Sequence, residues 1–423
     1  MKKTFTLFLS CFIAMNIFAQ TVSDSVNMNT DYSDDVFYSF ENSTVATQPL
    51  NDWTIALSVP SQRAGIFINE GAGVDLWVTG ADTADFATVD TTGMTWDNLY
   101  NNPKSFEFGA YSDLPGVGQM SGSGQNQKLS YGWGSYFFAS HLIFGEEIFI
   151  IKTLDGDYFK TFMQKREQGE WYYRVASLDN AFDSLFVINS STYTDQNFVY
   201  LNLDDNELAI DRDPVNTTWD LQFTRMALPF PAGQKSTTVF LNEGISVAEV
   251  NNELSTNAVY NEATLADTLK NIIGDDWKTF DFMGVPPSFV IDDSLSWFVK
   301  DRNDDVYHLI FTEVEGFGTG KIHFTTEKVA SVAINEIEAI DFQGIYPNPA
   351  QDVAYLILSA EKSMTNLSVQ VINIIGATMH REALNLDNGM TQIPINLANF
   401  EQGIYFVTVT DGKNTNTQKL IVK

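Results

Sequence analysis

The chain has 423 residues, with 24 lysines and arginines against 54 acids and a formal charge of −30. That balance excludes nucleic acid or an anionic membrane surface as a partner, since attraction to phosphates needs a basic footprint, and it suits a soluble exported protein. At 44% hydrophobic and 13% aromatic residues, including 32 Phe, there is apolar material for two or three domains and a bias toward strands.

In chain order, Met1-Lys2-Lys3 and an apolar run from Phe5 to Phe18, followed by Ala19, read as a signal peptide over 1–19, with an apolar segment too short to remain as a membrane helix. The only cysteine, Cys11, lies inside it, so the mature chain has no disulfide, cysteine zinc site or thiol nucleophile. A polar leader, 20–35, rich in Ser, Asp, Asn and Thr, is expected to be mobile.

An internal repeat then governs the chain. Asp52-Trp-Thr-Ile-Ala-Leu-Ser58 with Ile66-Phe-Ile-Asn-Glu-Gly71 returns as Thr218-Trp-Asp-Leu-Gln-Phe-Thr-Arg225 with Thr238-Val-Phe-Leu-Asn-Glu-Gly244. Both are strand-like runs that stop at Asn-Glu-Gly, a turn signal. The second copy carries about seven extra residues between these strands, with Pro229 and Pro231. Each copy closes on a strand meander: Phe149 to Lys152, Tyr158 to Met163 and Glu170 to Val175 in the first, Trp297 to Lys300, Tyr307 to Phe311 and Ile322 to Phe324 in the second. The spacing places units at 36–190 and 195–335. A Gly/Ser-rich stretch from Pro115 to Gly124 reads as a surface loop. Thr256 to Ile273, with Leu265, Leu269 and Ile272-Ile273 as a loose apolar face, is the only helical expectation.

From Phe342 the composition changes. Ile345-Tyr-Pro-Asn-Pro349 makes a stiff entry, and alternating strands at 353–358, 367–375, 392–397, 403–410 and 417–422 predict a small antiparallel sandwich over 342–423. The expected fold class is all-β: two related antiparallel β-rich units in tandem plus a small C-terminal β-sandwich.

Two resemblances follow. Tyr346-Pro-Asn-Pro349, Asn373-Ile-Ile-Gly376, Gly403-Ile-Tyr-Phe-Val407 and Lys419-Leu-Ile-Val-Lys423 resemble the type A sorting domain of the type IX secretion system. This implies the Sec route to the periplasm, then the type IX machinery across the outer membrane, removal of the domain, and release or attachment at the cell surface. The repeated unit resembles the HmuY family of haem-binding, all-β secreted or surface proteins. The second copy carries it best, in Trp219-Asp-Leu-Gln-Phe-Thr-Arg225, Val239-Phe-Leu-Asn-Glu-Gly244, Ile273-Gly-Asp-Asp-Trp-Lys278, Trp297-Phe-Val-Lys300 and Tyr307-His-Leu-Ile-Phe311. The first copy keeps Trp53 and Asn69-Glu-Gly71 but has Thr54 where the pattern has Asp.

That resemblance implies haem or a related porphyrin, held by axial His or Met ligands over an apolar slot. The candidates are His308, His323, His141, Met163 and Met226. A hairpin turning symmetrically near Glu315-Gly316 would set His308 directly opposite His323, which tells against a two-sided haem clamp: one of them could serve with a ligand from another loop, both could grip a transition metal, or the two could be a solvated or hydrogen-bonded cross-strand pair. Arg63, Arg166, Arg174 and Arg225 are available for propionates. The clusters Tyr131-Gly-Trp133, Tyr136-Phe-Phe138 and Trp171-Tyr-Tyr173 could line a slot, stack on sugars or pack in a core. No nucleophile elbow, zincin motif or phosphate loop occurs. The expectation is a non-enzymatic, secreted or surface-attached binding protein for porphyrin, or alternatively a glycan-binding adhesin.

Overall fold

The computed structural model describes residues 21–60, 63–205, 207–228, 233–251, 254–267, 269–329, 339–373, 377–411 and 415–423. The expected signal peptide with Cys11, the prolines 229 and 231, and positions 374–376 of the sorting-domain motif lie outside them. The chain divides into two compact units, Met1–Ala330 and Ser331–Lys423. Among the described residues, all regular structure is β-strand and short 3-10 turns.

Among the described residues of the first unit, four of the five sheets surround two large cores, and their strand orders match in pairs. One four-stranded sheet runs Glu207–Ile210, Phe198–Asn202, Ile55–Ser58, Ile66–Ile68; the other runs Ser43–Pro49, Asp34–Ser39, Leu221–Ala227, Lys235–Leu241. The larger sheets contain the series Asp183–Asn189, Glu170–Ser177, Tyr158–Glu167, Phe149–Lys152, Asp75–Val78 and the series Thr21–Asn27, Lys321–Val329, Val306–Val314, Ser296–Lys300, Ser246–Val250. Both meanders carry a register shift at the matching place, between Met163 and Lys165 and between Phe311 and Glu313.

The pairing crosses the sequence segments. Hairpin 34–49 joins strand Leu221–Ala227, with Val36 opposite Phe223 and Tyr38 opposite Leu221. Hairpin 198–210 joins Ile55–Ser58, with Val199 opposite Leu57. One core therefore gathers Ile55, Leu57, Trp133, Phe149, Trp171 and Val199. The other gathers Val26, Tyr38, Phe223, Trp277, Trp297 and Phe311. The hydrogen bonding changes hands near residues 49–53 and 210–216, where the two connections are tied together. The Arg212 guanidinium donates to Asp35 and Asp52, both at 2.6 Å, and to the Pro49 carbonyl at 2.9 Å. Burial alone would lower Arg212, but Asp35 and Asp52 override it and hold the guanidinium protonated.

The Asn-Glu-Gly turns are the fold's clasp. Asn69 Nδ2 donates to the carbonyls of Leu50 and Trp53 at 2.6 and 3.0 Å. Asn242 Nδ2 donates to those of Asn216 and Trp219, both at 2.8 Å. In both copies the second acceptor is the repeated tryptophan and the first lies three residues before it. Gly71 is required by space, since a Cβ there would sit 2.1 Å from the Arg225 carbonyl oxygen, and Gly244 by its backbone φ of 77°.

Three expectations are corrected. The leader is a strand: Thr21–Asn27 pairs with Lys321–Val329, and Val26, Met28 and Tyr32 are buried beneath its polar face. Residues 256–273 form no helix; two 3-10 turns, Ser255–Asn257 and Glu262–Thr264, interrupt an otherwise extended path. Its backbone is claimed by neighbouring strands, through Val247 with Ala266 and Val239 with Gly274, and its loose apolar face is too weak to outbid those bonds. The meander places His308 opposite Glu327 and His323 opposite Glu313, because the turn lies at 316–320, further along than Glu315-Gly316.

The second unit is a sandwich of a three-stranded sheet (Ile340–Tyr346, Val353–Ala360, Gly389–Asn396) and a four-stranded one (Thr378–Leu386, Met364–Asn373, Gly403–Thr410, Thr415–Val422). Leu356, Val369, Val371, Ile395, Val407 and Leu420 fill it. Its entry motif has a direct task. Asn348 donates to the Lys419 carbonyl and accepts from the Ile421 amide, at 2.8 and 2.9 Å, clamping the last strand.

Both side chains of the Arg212–Asp35 pair are 1% exposed. Truncation at Arg212 strands a buried carboxylate, so Arg212→Ala should cost about 3–5 kcal/mol in denaturant unfolding of the mature chain. The double change Arg212→Met with Asp35→Leu should recover most of it.

Candidate ligand site

The first large sheet continues where its counterpart stops. Leu142–Gly145 pairs with the far end of Tyr158–Glu167, and Gly134–Phe137, Lys128–Ser130 and Met120–Ser121 follow outward. The register sets Arg166 opposite Ile143, Ile143 opposite Tyr136, and Tyr136 opposite Leu129. Arg166, Ile143, Tyr136 and Leu129 thus form one row across four strands. Side chains alternate along a strand, so Gln168, His141, Phe138 and Tyr131, each two positions away, extend that same face. These residues, with Arg63 and Gly169, line a cavity of about 450 Å³.

Its chemistry is cationic and aromatic inside an acidic protein. Arg166 is 5% exposed and lies over the Trp171 ring at 4.3 Å, with Nη2 donating to the Pro60 carbonyl at 2.8 Å. Its Nε and Nη1 have no hydrogen-bond partner among the described residues. Burial lowers the guanidinium to about 10, partly offset by Tyr131. Arg63 pairs with Glu243 and lies over the Phe106 ring at 5.3 Å. His141 sits in a turn at φ 59°, its Nδ1 hydrogen-bonded to the Tyr136 hydroxyl at 2.7 Å. When Nδ1 carries the proton and donates to that hydroxyl, Nε2 is left with a free lone pair; the other tautomer makes Nε2 a donor.

Among the five predicted ligands, only His141 lines this cavity. Met163 is core filling in the first large core. Met226 borders a separate, smaller cavity. His308 stacks on Phe298, with centroids 4.4 Å apart and planes at 14°. His323 Nε2 pairs with Glu315 at 2.8 Å. The opposed axial pair implied by resemblance is therefore not assembled from these side chains. Among the described residues, no group of three or more His, Cys, Asp or Glu could hold a metal ion. Of the arginines named for propionates, Arg63 and Arg166 converge here, whereas Arg174 is bidentate to Asp183 and Arg225 borders the smaller cavity. The aromatic clusters divide: Tyr131, Tyr136 and Phe138 line the cavity, Tyr131 and Tyr136 also packing against the first large core, while Trp133, Trp171 and Tyr173 lie within that core.

Burial lowers the His308 imidazole, against the pull of Glu327. A histidine depressed by folding contributes stability that is complete above its unfolded value and is lost as pH falls toward its folded one. The melting temperature of the mature chain should therefore drop on acidification below about pH 6.5, and by less in His308→Phe.

No curated protein matches the chain. Among solved structures, the crystal structure of dimeric latent PorU from Porphyromonas gingivalis is 12% identical, covering 65% of this chain and 31% of that one at a TM-score of 0.17, a likeness too slight to bear on the fold. No helix among the described residues is long and apolar enough to cross a membrane. Residues 344–423 match the family model for the Secretion system C-terminal sorting domain, the segment whose entry clamp and closing strand are described above. The chain therefore ends in a type IX sorting domain that directs its export to the cell surface or beyond.

Proposed function

We propose that the exported protein is a non-enzymatic binding protein whose ligand lies on the face formed by Leu129, Tyr136, Ile143 and Arg166. The observation that carries this reading is the convergence of Arg63 and Arg166 with Tyr131, Tyr136, Phe138 and His141 on one cavity. Guanidiniums favour carboxylates, the rings favour a flat apolar body, and about 450 Å³ lies within the range of small-molecule sites. A planar aromatic acid fits all three, and haem or a related porphyrin is the member of that class suggested by the HmuY-like motifs. His141 would then be the one protein ligand to the iron, and Arg63 and Arg166 would hold propionates. A glycan-binding reading rests on the same aromatic side chains, with Phe138 standing 38% exposed at the face, ready to stack on a sugar.

Titration of the mature chain with haemin should give a saturable Soret shift. His141→Ala should change the shape of the bound spectrum, and Arg166→Met should weaken affinity about tenfold, the size of a charge-assisted contact. A flat titration, with binding instead on a glycan array, would transfer the site to the carbohydrate reading.

A further inference from the structure

A second cavity lies where the outer faces of the two four-stranded sheets meet. Phe67 and Tyr200 flank Ala56 in one sheet, and Phe240 stands opposite Gln222 in the other. The cavity measures about 70 Å³ and is lined by Phe67, Phe198, Phe240, Glu70, Met226 and Lys270, among others. Lys270 enters from the extended segment once expected to be helical, fixed there by its amide bonding to the Lys104 carbonyl and its carbonyl accepting from the Leu241 amide. Its Nζ lies 4.3 Å from the centroid of Phe240 and 5.5 Å from those of Phe67 and Phe198.

Among the described residues this Nζ makes no hydrogen bond to protein and has no carboxylate within ion-pair distance. The buried lysines differ: Lys160 donates to the Ala87 and Val89 carbonyls and Lys278 to that of Thr237. Negative charge is not what the Lys270 site lacks, since Glu70 and Asp213 both act on the amine. Lys270 is half-buried rather than sealed, so its amine can be reached from the cavity it lines. Burial lowers the amine to about 8, and burial pushes Glu70, which accepts from the Asn101 amide at 2.8 Å, up to about 7. A neutral acceptor therefore suits the space better than another anion. Beside an amine that deprotonates near neutrality, that acceptor is a carbonyl.

We propose that Lys270 is the reactive amine of a site for small aldehydes and ketones, held as a reversible imine. The amine lone pair attacks the carbonyl carbon to form the C–N bond, and the carbonyl oxygen takes a proton from the Glu70 carboxyl. The surplus proton on nitrogen returns to the Glu70 carboxylate and is delivered to the hydroxyl, which leaves as water while C=N forms. One carbonyl compound is consumed, one water is released, and no oxidant or reductant is needed. The cavity's size admits a body of about three or four carbons, smaller than the benzene that fills about 150 Å³.

The test uses the mature chain with propanal and cyanoborohydride near neutral pH, followed by peptide mapping. Lys270 should be propylated about tenfold faster than the exposed lysines, the direction set by its larger neutral fraction. Denaturation should abolish that preference, and Glu70→Gln should reduce it. Labelling that follows solvent exposure, with Lys270 no faster than the exposed lysines in the native chain, would overturn the proposal. Because the mapping is read in the unaltered chain, it does not depend on whether any variant folds.

Discussion

The backbone pairing of hairpin 34–49 with strand Leu221–Ala227 is the constraint on which the rest of residues 21–329 depends. Without it, the core built on Trp277 and Trp297 loses Val36 and Tyr38 and exposes a sheet edge, which costs both burial and ladder bonds. The reciprocal hairpin, 198–210, does the same for the core built on Trp133 and Trp171. Neither core is closed by a continuous half of the chain as the repeat divides it. The two crossings run side by side, so one buried guanidinium, Arg212, can serve Asp35, Asp52 and Pro49 together. Such a pair contributes little net stability compared with apolar packing, but it strongly penalises any arrangement that separates its members.

The same framework explains where a ligand face can arise. The two large sheets follow one strand order until the second stops at Ser246–Val250 and the first adds four short strands beyond Tyr158–Glu167. The added strands have no counterpart to cover them, and the cavity lies on them. The candidate site thus lies on strands that one large sheet has and the other lacks.

Much of the architecture was legible in residues. Trp53 and Trp219, with the Asn-Glu-Gly turns, mark equivalent places because the asparagine amide must bond the tryptophan carbonyl in each copy. The strand runs, the all-β class and the C-terminal sandwich follow from alternation alone. Pairing partners are not so encoded: nothing in Val36-Phe-Tyr-Ser-Phe40 distinguishes the strand after residue 53 from the strand after residue 219. The site shows the same division. Tyr131, Tyr136, Phe138, His141, Arg63 and Arg166 all stood out by type, and period two groups each with its neighbour. Only the register of four strands sets them abreast. The symmetric hairpin assumed for His308 and His323 failed for a related reason, since the turn centres near Gly318 rather than at Glu315-Gly316, which slides every pair of the meander.

Sequence separation gives the crossing a further consequence. Thr21 pairs with Glu327, and Asn27 with Lys321, so the first described strand finds its partner only once almost the whole unit is present. Contacts of this span are slow to form because the loop entropy is paid before the pairing rewards it. The sorting domain begins a few residues later and has a self-contained core. A chain that emerges amino terminus first therefore exposes Thr21–Asn27 as an unpaired strand until residues 321–329 arrive, just before the export tag. Polar residues at Thr21, Ser23, Asp24 and Ser25 keep that waiting strand from pairing with the wrong edge, the role charge and polarity serve on exposed strands generally. The composition that makes this segment read as a disordered leader is then the composition a late-pairing strand requires.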